Sequence, residues 1–179
     1  MLGNSTNSET STAGPGSIAW QWDEAEAGEH RGRVFLDLEG GGCLVLTFIN
    51  HETAEIQRTG SSGESVWVQS VPSWIANSAA LLLHAGKLYA ALYSDMAAGC
   101  RVLALDAASG DLLWDTPLKG LGPIHHSKYR NRVQLRFIHH WNVPEGGRLV
   151  IFGQEAGGKY IEVLEPDSGR QLSHQMVQP

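Results

Sequence analysis

Ala104-Leu105-Asp106-Ala107-Ala108-Ser109-Gly110-Asp111-Leu112-Leu113-Trp114 decides how this chain is read. An apolar run ends at Asp106, a small-residue turn follows, and a second apolar run closes on tryptophan. Asp106 and Ser109 can hydrogen-bond the backbone of a tight turn, and Gly110 supplies the positive φ that such a turn needs. Trp114 adds a large apolar area together with one N–H that needs an acceptor. Outward from this stretch, Gly-x-x-x-Trp recurs at Gly16–Trp20 and at Gly63–Trp67. A fourth copy, Gly169-Arg170-Gln171-Leu172-Ser173, carries serine where the tryptophan is due. Successive copies are offset by 47, 47 and 59 residues, the longer interval holding an insertion around residues 119–131. A period of about 40–50 residues is the mark of repeated β-units that stack on one another.

The same strand order recurs inside each interval. Lys87–Tyr93, Arg101–Asp106 and Leu112–Trp114 read as strands separated by Gly, Ser and Asp turns, and Cys43–Val68 and Leu149–Val177 repeat the order. No window of 11 residues or more carries a 3.6-residue apolar period, so little helix is expected. The expected fold is all-β: repeated four-stranded antiparallel units resembling propeller blades, about three of them plus one stray strand. Residues 16–179 form the single repeat-containing domain, and residues 1–15 read as a disordered polar tail.

Residues 104–114 resemble the repeat of the pyrroloquinoline-quinone-type (PQQ-like) β-propellers, whose blades carry Ala-x-Asp-x-x-Thr/Ser-Gly-x-x-x-Trp. Ala104, Asp106, Gly110 and Trp114 match it, Gly63 and Trp67 match in a weaker copy, and Leu164–Gly169 keeps the turn chemistry. The resemblance implies that each tryptophan packs on the glycine of a neighbouring blade. Enzymatic members need a calcium-binding acidic cluster, a cofactor stacked over tryptophan and commonly adjacent cysteines. This chain has no adjacent cysteines and is too short to frame a central cofactor site, so a short non-enzymatic member without cofactor is expected. Closed propellers need four blades or more, which leaves three outcomes. The units close a ring as an oligomer, stay open with covered edges, or collapse into a small β-barrel or sandwich. Unpaired edges favour an oligomer, a homodimer in the simplest case.

Composition agrees with a packed domain. Apolar residues make up 42% and charged residues 18%, and the net charge of −6 argues against a surface devoted to nucleic acid. No stretch approaches the ~20 apolar residues of a membrane helix, and the start lacks the basic and apolar regions of a signal peptide. A cytoplasmic protein is expected. Cys43 and Cys100 sit in apolar runs and read as buried thiols, a single disulfide between them staying open.

The least ordinary segment is Pro123–Trp141. Lys128, Arg130, Arg132 and Arg136 fall within nine positions, and setting these four cations aside from the net −6 leaves −10 for the rest of the chain. On one continuous strand those four and Gln134 share one face, while Tyr129, Val133, Leu135, Phe137 and His139 share the other. A cationic face of this kind grips carboxylate or phosphate, or else is a solvated strand whose charges discourage edge pairing. His125-His126 and His139-His140 invite a metal reading with Glu145 or Asp115, but adjacent strand residues point to opposite faces and no ligand spacing supports it. The acidic run Asp23–Glu29 reads as a loop after the first strand, solvated or paired with the basic strand of another copy. No nucleophile elbow occurs, and Gly40-Gly41-Gly42 reads as a hairpin or blade-connecting turn rather than a phosphate loop.

Three functions compete. The first is a non-catalytic module that binds a peptide or protein segment, anionic in character, through Lys128, Arg130, Arg132, Arg136, His140 and Trp141, the basic face together with Trp74 and Trp141 supplying side-chain recognition. An accessory protein presenting a peptide to a modifying enzyme fits that reading. The second is a structural propeller-type assembly domain. The third is a small enzyme using histidines or a metal.

Overall fold

The computed structural model describes residues 18–24, 30–50, 53–72, 79–95, 99–119, 134–155 and 158–177. They form thirteen strands: β1 (Ile18–Glu24), β2 (His30–Asp37), β3 (Cys43–Phe48), β4 (Thr53–Thr59), β5 (Ser65–Pro72), β6 (Ala79–His84), β7 (Lys87–Asp95), β8 (Gly99–Asp106), β9 (Leu112–Pro117), β10 (Gln134–Val143), β11 (Gly146–Glu155), β12 (Gly158–Leu164) and β13 (Gln171–Val177). Among the described residues there is no helix, and so none long and apolar enough to cross a membrane.

Three antiparallel sheets hold these strands in sequence order. The second sheet is β6-β7-β8-β9 and the third is β10-β11-β12-β13. The first, β1-β2-β3-β4-β5, is a four-stranded unit with the stray strand added. Each sheet is a propeller-like blade, and β6 at the edge of the second blade touches both β10 of the third and β2 of the first. The expected count of three units and one strand is the count found.

Burial shows why the middle blade lacks a clean alternation. In β7, Leu88, Ala90 and Leu92 pack toward the first blade, while Tyr89, Ala91 and Tyr93 pack toward the third. A blade covered on both faces reads as a continuous apolar run. In β4 only Ala54 and Ile56 are buried, so one face of the first blade meets the second and the other does not. Each fully buried leucine, such as Leu44, Leu88 or Leu149, contributes about 1.5–3 kcal/mol through area removed from water.

The repeat motif makes the seams. Trp67 Nε1 donates to the Ala107 carbonyl at 3.1 Å, and its ring lies on Gly110, where an added Cβ would sit 2.7 Å from the ring. Trp114 Nε1 donates to the Pro166 carbonyl at 3.0 Å, and its ring lies on Gly169 in the same way. The packing implied by the resemblance is therefore present at both seams. Inside the motif, Asp106 Oδ1 accepts the Ser109 and Ala108 amides at 2.9 and 2.8 Å, and these bonds hold its carboxyl below the usual carboxylate range. Gly110 has φ +81°, as the turn requires.

Two expectations need correction here. Gly63 has φ +85° and shares the turn position of Gly110, but among the described residues nothing lies within 4 Å of where its Cβ would be. The reason is the place of Trp20. Its strand β1 pairs with the inner strand β2, with Trp20 opposite Val34, on the far side of the blade from β5. Asp23 and Glu24, read as loop, belong to that strand. Cys43 and Cys100 are both free thiols; Cys100 is buried, and Cys43 is half-buried beside the Thr59 hydroxyl at 3.2 Å.

Candidate functional site: the outward face of the third blade

The third blade has one face on the second blade and one turned away. Leu135, Ile138, Leu149, Ile151 and Leu164 pack inward. A bulge between Leu135 and Phe137 resets the alternation of β10. Beyond it Ile138 is buried, whereas Phe137 and Trp141 are 48% and 61% exposed. The expectation that Phe137 and His139 share a core face with Leu135 is thus corrected. A bulge inserts one residue, and every side chain after it changes face.

The outward face has an apolar middle and a cationic end. The rings of Phe137 and Phe152 stack at 5.2 Å and 10°. Val150 pairs with Val163, and Phe152 with Ile161, across β11 and β12, extending the surface as half-buried side chains. At one end, exposed Arg136 reaches the Gln154 side-chain oxygen at 3.4 Å, and Gln154 pairs with exposed Lys159 across the strands. Trp141 stands toward the other end, opposite Arg148.

Of the residues expected to bind, Arg136 and Trp141 lie on this face. Lys128, Arg130 and Arg132 lie outside the described residues, as do Trp74, His125 and His126. Phe152 and Lys159 were missed, although their alternation in sequence is a signal that could have found them.

His140 points the opposite way, into the seam. Its ring stacks on His84 with centroids 3.7 Å apart, and it lies against Gly147. Its buried Nδ1 has no hydrogen-bond partner among the described residues. Lys87 pairs with Asp167 at 2.5 Å in the same seam, which holds the Asp167 carboxyl below its usual range. No three His, Cys, Asp or Glu side chains gather as a metal site among the described residues, and Asp115 is instead paired with Arg101.

The three-blade geometry has a counterpart among solved structures. It is similar to a europium-containing methanol dehydrogenase, with a TM-score of 0.55 at 12% identity, over 90% of this chain and 27% of that one. The likeness is one of fold. The chain spans about a quarter of the length of that structure. No family model matches the sequence, and no curated protein does.

The histidine stack makes a testable link between pH and stability. Burial lowers the His140 pKa, the neighbouring His84 and His139 lower it further, and Asp167 opposes them. The unfolded chain then takes up the proton before the folded chain does. Stability is full above the unfolded value of about 6.5 and is lost as pH falls through the lower folded value. Thermal melts at about pH 7.5 and 5.5 should show a lower Tm at the acid pH. His140→Phe, which keeps a ring against His84, should reduce that difference by a few degrees. An undiminished difference would place the titration elsewhere.

Proposed function

We propose that this chain is a non-catalytic propeller-type binding module that takes up an anionic protein segment on the outward face of its third blade. The observation that carries the reading is that face itself. Phe137 is exposed against the half-buried Phe152, with Arg136 and Lys159 at one end and exposed Trp141 toward the other. Exposed aromatic residues next to cations suit a partner that supplies apolar anchors and carboxylates. The cations steer and orient, and the aromatics supply the energy. A segment held there could be presented to a modifying enzyme, which is the accessory role that a small module suits.

The test is a titration against acidic peptide pools at low and physiological salt, beside a thermal melt. Affinity should fall with salt, because exposed charges are screened beyond ~8 Å at physiological ionic strength. The double change Arg136→Glu and Lys159→Glu should weaken binding at least tenfold while leaving the melt unchanged, since both side chains are exposed. Unchanged affinity on an unchanged melt would overturn the reading. A second reading, a structural propeller-type assembly domain, is favoured by the open position over Gly63.

A further inference from the structure

We infer that the protein segment on the outward face of the third blade is the first blade of a second copy, joined head to tail. The inference rests on the reading of that face as a docking surface.

Both seams within the chain follow one rule of direction. A blade turns one face forward, and the tryptophan of its outer strand covers the turn glycine of the next blade. Trp67 on β5 covers Gly110, and Trp114 on β9 covers Gly169. On the first and third blades the rule leaves two complementary halves among the described residues. The first blade offers Gly63, φ +85°, with open space above it among the described residues. The third blade offers its forward face, and Ser173 stands at the outer-strand position that Trp67 and Trp114 hold. The register fixes that equivalence: Arg58 pairs with Trp67, Ala104 with Trp114 and Val163 with Ser173.

Among the side chains described, the two free faces differ in charge. Arg136 and Lys159 are exposed on the third blade, while Asp37 is exposed and Glu55 half-buried on the free face of the first, beside Phe35 and Val68. Opposite charges across a patch set its orientation, which favours third blade on first over either face on itself. Two copies so joined at both ends make six blades, within the four to eight of closed propellers. A face used against a different face is a heterologous contact, which closes a ring or runs on as a filament. The seam would lack the tryptophan, and the turn at Gly63 closes on Gly60, one residue tighter than the turn of Gly110 on Asp106, so self-association is expected to be weaker than the internal seams and reversible.

Sedimentation equilibrium over the micromolar range, with melts confirming the fold, tests this directly. Wild type should exceed the mass of one 19.4 kDa chain. Ser173→Trp restores the missing ring, and the dissociation constant should fall at least tenfold. Phe137→Glu and Val68→Arg, each at an exposed position, should each give monomers. Mixed, they should form a one-to-one dimer, because the first retains an intact first blade and the second an intact third blade. A mixture that stays monomeric while wild type associates would overturn the head-to-tail arrangement. A wild type and a Ser173→Trp variant that are both monomeric would overturn the inference. If acidic peptides still bound in a manner sensitive to Arg136 and Lys159, the reading of the face would survive it; if they did not, both would fall.

Discussion

Trp114→Ala should lower stability by about 3 kcal/mol, in the range for removing a large aromatic from a packed site. For a chain of this size that is roughly a 10 °C fall in Tm. The indole is only half-buried, but it does two things at once. Its ring lies on Gly169, and its N–H donates to the Pro166 carbonyl across the seam. Removing it uncovers the glycine turn and leaves Thr116, whose hydroxyl donates to the Gly169 carbonyl at 2.9 Å, to hold that corner. The complementary change is Gly169→Ala. Its Cβ would meet the Trp114 ring and the Thr116 hydroxyl at 2.5 Å, at a φ of +67°. Overpacking of that kind costs about 1–3 kcal/mol. The double variant should be less damaged than the sum, because the clash with the ring disappears while the contact with the Thr116 hydroxyl and the backbone strain remain. A loss below about 1 kcal/mol for Trp114→Ala, read from urea or thermal unfolding, would show that the motif does not hold the blades together.

Glu162→Ala should cost about 2–4 kcal/mol, although no sequence pattern singles the residue out. Glu162 is 1% exposed, the one buried charged side chain among the described residues. Its carboxylate accepts the Lys119 amide at 2.6 Å and the side-chain amide of Gln171. It therefore ties the exit from the second blade to the last two strands of the third. Truncation leaves two partly buried donors without their acceptor, and each unsatisfied donor costs about 1–3 kcal/mol. Glu162→Gln keeps one acceptor oxygen and should cost markedly less. Equal losses for the two variants would assign the effect to packing rather than to the hydrogen bonds.

The pattern of residues settled the class of fold because its information is local. Strand runs such as Arg101–Asp106 and the turn chemistry of Asp106, Ser109 and Gly110 depend on neighbours within a few positions, and all appear where the spacing puts them. The 47-residue repeat also set the number of units, since each unit needs another to cover its apolar face. The tryptophan seams at Gly110 and Gly169 followed from the resemblance, and the geometry agrees.

What the sequence could not carry was the facing of side chains after an irregularity and the address of a strand whose neighbours lie elsewhere. The bulge at Leu135–Phe137 has no signature in residue type, yet it turns Phe137 outward and sends His140 against His84, on a different blade. Trp20 belongs to the repeat by spacing, which would put it on an outer strand, but β1 pairs with β2 instead. Composition, turns and period are properties of the chain, and the sequence alone determined them here. Which face is free, which histidine is buried and which glycine stays uncovered depend on contacts between blades, and only the tertiary structure decided those.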